Sequence, residues 1–265
     1  MEKETMNIKA NGIDFYCETR GSGPLVVLVP DGSNDCGPYD NLAKELSDQF
    51  TTLTFDMRGG TRSMDSSPQK VTPSLLGDDL AEIIRIFDKG KATIYGCSSG
   101  GQTVLSAGRR HPSLIRNVMV HEAALQADTP LPEAGFSFFE NISTFDKYLT
   151  GNLNSGDFWG VCNADTAGAI DSAARARIEK NNIFWQQWYL GTVDTDSYSE
   201  EDFEKMPPVD FSVGTWTPSW LVYANLATAK RGNCPVTWFN CSHHPEISIP
   251  AEYAQYMKRV IAKYL

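Results

Sequence analysis

Ser98 lies in Gly96-Cys97-Ser98-Ser99-Gly100, a G-x-S-x-G between a predicted strand and a predicted helix. In that setting a serine can be lifted onto a tight, strained turn with its hydroxyl exposed, which requires small residues on either side of it. A glycine-rich turn that happens to contain serine is the plainer alternative, and Ser99 fails as nucleophile on spacing. A serine hydroxyl is a weak nucleophile at neutral pH and needs a general base. Four histidines are available. His111 precedes Pro112 at a helix end and reads as surface, and His121 ends a strand directly before Glu122. His243 and His244 follow the last predicted strand, where the chain order serine, acid, histidine puts the base. His243 is favoured, with His244 as its rival; the other is a loop histidine that takes a hydrogen bond.

The acid that would orient this base commonly follows the strand after an insertion. Here that strand, Val209 to Val213, runs into Gly214-Thr215-Trp216-Thr217 and offers no carboxylate. Asp194 and Asp196 fall in a linker and read as solvated. Glu122 ends the strand that follows the elbow helix, on the same edge of the sheet as Ser98, and is the favoured acid; its plainer role is pairing with a basic residue of the insertion. Stabilising a developing oxyanion takes two backbone N–H donors. Ser99 supplies one by position. Gly32, in Pro30-Asp31-Gly32, supplies the second if that loop is more than an ordinary turn, and the sequence supports both readings equally. Asp56 is read as organising the turn after its strand.

The elements that would position these groups alternate. Ile13 to Glu18 reads as a half-buried antiparallel edge strand, and Leu25 to Val29 is apolar on both faces, as in a parallel strand covered by helices above and below. Helices are predicted at Asn41 to Ser47, Ser74 to Asp88 and Gln102 to Arg110, and strands at Thr51 to Phe55, Ala92 to Tyr95 and Ile115 to Val120. On the second helix Leu76, Leu80, Ile83, Ile84 and Phe87 share a face. The alternation predicts an α/β fold with a mostly parallel, doubly wound sheet. It stops after Glu122. Residues 127–203 read as a helical cap carrying Phe136, Phe138, Phe139, Phe145, Phe158 and Trp159, with more aromatics from Phe184 to Tyr189. The core thus comprises residues 1–126 and 204–265, the second part carrying Val209 to Val213, a helix near Ser219 to Lys230, the strand Val236 to Phe239 and a last helix from Ala251 to Leu265.

Of the 265 residues, 41% are hydrophobic and 21% charged, enough to bury a sizeable core. A net charge of −10 argues against nucleic acid or an anionic membrane as partner. A neutral small molecule fits better. The six cysteines show neither C-x-x-C pairs nor zinc-ligand spacing and read as reduced intracellular thiols, so no metal is expected. Met1 to Asn11 has no signal-peptide or transit-peptide pattern, and no segment reaches the roughly 20 apolar residues of a spanning helix. A cytoplasmic location is therefore expected, with a homodimer left open.

These motifs carry a resemblance. Val27-Leu28-Val29-Pro30-Asp31-Gly32, Thr54-Phe55-Asp56-Met57, Tyr95-Gly96-Cys97-Ser98-Ser99-Gly100, Ile115-Arg116-Asn117 with His121-Glu122, and Lys263-Tyr264-Leu265 resemble the α/β-hydrolase superfamily, and within it the fungal zearalenone lactonases. The resemblance spans nearly the whole chain. It implies a Ser98-Glu122-His243 triad, Gly32 and Ser99 as oxyanion donors, Trp185 packed on a substrate ring with Tyr189 nearby, and Asp31 at the substrate. It also implies no cofactor, and a large apolar macrolactone as substrate, opened through an acyl-enzyme. Ala123, in place of a leucine-proline continuation, and His244, in place of an apolar residue, depart from the pattern and bear on pocket shape. A carboxylesterase for another bulky apolar ester and a low-turnover receptor on the same scaffold are the rival readings, and an acyltransferase shares the chemistry. A dehalogenase is disfavoured because Ser98 stands where its carboxylate nucleophile would be.

Overall fold

A computed structural model describes residues 2–125, 165–166 and 168–265. Eight strands form one sheet: β1 (Glu4–Ala10), β2 (Ile13–Arg20), β3 (Leu25–Val29), β4 (Thr51–Phe55), β5 (Ala92–Cys97), β6 (Ile115–His121), β7 (Val209–Gly214) and β8 (Val236–Phe239). Their order is β1-β2-β4-β3-β5-β6-β7-β8. β1 and β2 form an antiparallel hairpin, β2 pairs antiparallel with β4, and every later pairing is parallel.

The described helices are α1 (Asp40–Leu46), α2 (Pro73–Phe87), α3 (Ser99–Arg110), α4 (Ser172–Trp188), α5 (Glu200–Lys205), α6 (Ser219–Arg231), α7 (Pro245–Ser248) and α8 (Pro250–Ile261). Alternate residues of β3 show how they enclose the sheet. Val27 and Val29 join one core with Leu76, Leu80 and Ile83 of α2 and Val104 and Leu105 of α3. Val26 and Leu28 face the other way, into a core with Leu42 and Leu46 of α1 and Tyr253, Met257 and Ile261 of α8. A parallel strand buried on both faces has to be apolar throughout, which accounts for Leu-Val-Val-Leu-Val.

Two expectations change. β2 is not at the edge: that place belongs to β1, which the sequence reading missed because only Ile8 and Ala10 of its seven residues are buried. Helix α3 begins at Ser99 rather than Gln102, since the turn before it fixes the start despite two glycines of low helix propensity. Within the expected cap, α4 and α5 are seen, whereas Phe136, Phe138, Phe139, Phe145, Phe158 and Trp159 lie outside the described residues. No helix among the described residues is long and apolar enough to cross a membrane.

Candidate active site

β5 delivers Ser98 at its C-terminal end, with α3 starting at the next residue. The Ser98 backbone is left-handed, φ 56° and ψ −124°, a conformation that costs a non-glycine residue about 1–3 kcal/mol and persists only where the surroundings enforce it. The surroundings here are backbone. A Cβ on Gly96 would stand 2.2 Å from the Gly100 carbonyl oxygen, and one on Gly100 would stand 2.6 Å from the Pro30 carbonyl oxygen, so both flanking glycines are required. The Ser98 amide donates to the His121 carbonyl, and its own carbonyl accepts from the Ala124 amide, tying the elbow to the end of β6.

Glu122 follows β6, also with positive φ, 44°. Its Oε2 lies 2.8 Å from Nδ1 of His243 and its Oε1 accepts from the Gly214 amide at 2.6 Å. Both side chains are buried. Burial opposes ionisation of Glu122, but the imidazoles of His121 and His243 and the Gly214 amide outweigh it and leave the carboxyl below its ordinary pKa. With Nδ1 engaged, the free nitrogen of His243 for chemistry is Nε2. The loop that carries it is pressed against the elbow: the Cys97 thiol, next to Ser98, donates to the His243 carbonyl at 3.0 Å. Asp196 pairs instead with Arg109, and Asp56 accepts from the Cys36 amide and from Arg62, as expected of an acid that organises the turn after β4.

Ser99 opens α3, where the first N–H groups have no intrahelical partner and the helix dipole favours negative charge. Gly32 lies after β3, and an added Cβ there would come within 3.0 Å of Trp185 Nε1, so the indole of α4 packs directly over this loop. The Trp185 and Tyr189 rings stack at 6.4 Å and 19°. Tyr189 itself is fully buried and its hydroxyl donates to the Arg58 carbonyl at 2.8 Å. Asp31 is buried too, with Oδ1 accepting from the Ser33 amide and Oδ2 3.2 Å from His244 Nε2. The two candidate bases therefore sit with different acids: His243 with Glu122, and His244 with Asp31 and with Glu246 at 2.7 Å.

Sequence reasoning missed Glu246, although His244-Pro245-Glu246 put a carboxylate two residues from a histidine. It named His121 only as ending its strand and gave it no role; its Nε2 is 3.6 Å from Glu122 and burial pushes its pKa down to about 4. The Cys97 thiol and the rings of His243 and His244 lie within 4.8 Å of one another, but both rings are already engaged by carboxylates, so a metal would compete with existing contacts.

A hydroxyl on a strained elbow, beside a buried carboxylate-imidazole pair and the N-terminus of a helix, is an arrangement suited to nucleophilic attack on a carbonyl. A family model described as alpha/beta hydrolase fold matches residues 24–191, and the chain belongs to that family. It is a hydrolase of this fold. Among its relatives, the zearalenone hydrolase of Bionectria ochroleuca is 31% identical over 261 residues, 96% of each chain. That of Cladophialophora bantiana is 32% identical over 266 residues, 96% of this chain and 95% of the relative. The solved structure of Est816, an N-acyl homoserine lactone degrading enzyme, shares the fold with a TM-score of 0.72 at 17% identity, covering 96% of this chain and 99% of that one.

Proposed function

We propose that this protein is a serine hydrolase that opens the lactone of a resorcylic macrolactone such as zearalenone through an acyl-enzyme. The observation that carries the reading is the buried Glu122–His243 pair, 2.8 Å apart, in a loop held against the elbow of Ser98. Two zearalenone hydrolases that match 96% of the chain support the substrate.

In this reading Ser98 Oγ attacks the lactone carbonyl as His243 Nε2 takes its proton. The carbonyl oxygen becomes an oxyanion that accepts from the Ser99 and Gly32 amides. Glu122 holds the imidazole in the tautomer with Nδ1 protonated and stabilises the imidazolium. Collapse breaks the ring C–O bond, and His243 returns the proton to the departing alkoxide, which stays tethered to the acyl group. Water then attacks the acyl-enzyme, giving its proton to His243, and the second collapse frees the hydroxy acid and restores the Ser98 hydroxyl. Trp185, packed over Gly32, offers an aromatic face to a flat apolar ligand. The partner is thus a small apolar molecule, no cofactor enters the cycle, and a cytoplasmic location suits such a reaction.

Incubating the protein and its Ser98→Ala variant with zearalenone, and following ring-opened product by chromatography and mass, tests the reading. Product from the native protein that falls by several orders of magnitude in the variant supports it. Turnover of short aryl esters without any of zearalenone would replace the substrate with another bulky ester. Tight binding of zearalenone with no turnover of either would replace catalysis with ligand reception.

A further inference from the structure

His244 takes no part in these proton transfers, yet its ring is buried between two carboxylates. Nδ1 lies 2.7 Å from Glu246 Oε1 and Nε2 lies 3.2 Å from Asp31 Oδ2. A neutral imidazole carries one N–H and can donate to only one of them; an imidazolium donates to both. Burial by itself would hold His244 neutral, but Asp31 and Glu246 outweigh it and raise its pKa above the ordinary value. Burial likewise opposes ionisation of Glu246, and His244 leaves that carboxyl below its usual range. Its neighbours also include the Cys97 thiol, 3.6 Å from Nδ1, the His243 ring, 4.6 Å away between centroids, and the Glu122 carboxylate, whose charge likewise favours the imidazolium.

The three groups belong to three pieces of the site. Asp31 directly precedes Gly32, and it shapes that loop by accepting from the Ser33 amide with its side chain and from the Asn34 amide with its carbonyl. Glu246, in α7, also accepts from the Tyr95 hydroxyl at 2.8 Å, three residues before Ser98 on β5. His244 itself adjoins the base. One ring therefore joins the segments bearing the oxyanion donor, the nucleophile and the base.

We propose that His244 is a positioning residue, an imidazolium held between Asp31 and Glu246 that keeps the Gly32 amide aimed at the forming oxyanion. The proposal rests on the serine-hydrolase reading above. A buried ion pair that served folding alone could be replaced without touching the chemistry. One that aims a donor must show in kcat, because a misplacement of about 1 Å can cost about 100-fold.

The test compares the whole protein with His244→Gln, Asp31→Asn and the double variant. Asn at position 31 keeps an oxygen for the Ser33 amide and loses only the charge that meets His244. The readouts are kcat and KM on an aryl ester and on zearalenone, with the affinity of phenylboronic acid, whose tetrahedral serine adduct reports the oxyanion site. The expected result is a fall in kcat of about 100-fold, KM within about threefold, boronate binding weakened by a similar factor, and a double variant no worse than either single one. Variants that keep kcat and boronate affinity within about threefold of the native protein, or that raise KM alone, overturn the proposal. If His244→Gln does not fold, Asp31→Asn decides by the same criteria. Absence of ester and lactone turnover in the native protein overturns the hydrolase reading, and this proposal with it.

Discussion

Glu122 meets His243 across the end of an intervening strand: the acid directly follows β6, the histidine follows β8, and β7 lies between them. The carboxylate on β7, Asp210, accepts from the Tyr264 hydroxyl instead of meeting the histidine, and β7 offers the Gly214 amide to Glu122 Oε1. A side chain there would stand 2.5 Å from the Cys241 carbonyl oxygen, so the tip of β7 is kept bare and the histidine loop folds down onto it. The acid is fixed from behind as well, since the amide and carbonyl of Ala123 both bond to the Asn225 side chain.

Glu122→Gln keeps the shape of this pair but no longer stabilises the imidazolium. We expect kcat to fall by about 10⁴-fold, the loss seen when a triad acid becomes its amide, with the fold intact by circular dichroism. Retention of more than a tenth of native kcat would remove Glu122 from the proposed triad.

Ser98→Gly, expected from the proposed mechanism to abolish turnover, also relieves the positive φ. A gain of about 1 kcal/mol, or roughly 2–4 °C in Tm for a chain of this size, is the expected signature in calorimetry. An unchanged or lower Tm would mean that the elbow stores no strain.

Trp185→Ala separates substrate classes. KM for zearalenone should rise about tenfold, as when an aromatic anchor is removed from a contact, while kcat/KM for short aryl esters stays within about threefold. Equal losses on both would place Trp185 in the support of Gly32 rather than against the ligand.

Helix α4 is latched to the core by Arg177, which donates to Asp35 at 2.5 and 2.9 Å, and by Asn181, which donates to the Ser33 carbonyl. Asp35 is fully buried, so Arg177→Ala strips a buried carboxylate of its bidentate partner. A loss of about 1–3 kcal/mol is expected in denaturant unfolding, because hydrogen bonds to charged groups are worth that much. A change below about 0.5 kcal/mol would mean that Arg62, 3.4 Å from Asp35, suffices.

Two histidines give stability opposite dependences on pH. His121, ordinarily near 6.5 and pushed down to about 4 when folded, is a proton acceptor mainly in the unfolded chain. Its contribution is present above 6.5 and lost as pH falls toward about 4, a change of about 3 kcal/mol at roughly 1.4 per unit. His244, raised above 6.5, contributes fully below that value and loses the contribution as pH rises through its folded pKa. Thermal unfolding scanned across pH should therefore show a maximum near neutrality, and His244→Gln should lose the alkaline decline. A native protein whose stability rises steadily with pH through this range contradicts the assignment for His244.

Much of the frame was legible because it rests on local pattern. Leu25 to Val29 had to be a covered parallel strand, and Gly96 and Gly100 had to flank a sharp turn. The contacts that depend on distant segments meeting were harder to read. Nothing near Glu122 in sequence indicates that Gly214 donates to it, and nothing near Asp31 indicates His244, more than 200 residues away. β1 escaped because a strand open to solvent on one face and at its edge needs few apolar residues. Tyr189, expected at the substrate, has its hydroxyl on the Arg58 carbonyl, a contact set by the packing of α4 rather than by any motif.

The placement of Glu122 directly after β6 has an evolutionary consequence. In the proposed triad, Ser98, Glu122 and the Gly32 loop all precede the long stretch that separates β6 from β7, and His243 follows it. Insertions, deletions or wholesale exchange of that stretch leave the spacing from Gly32 to Glu122 untouched, provided that β7 still docks beside β6. Such a chain can explore new ligands by rewriting one contiguous block while the proposed reactive centre is inherited intact.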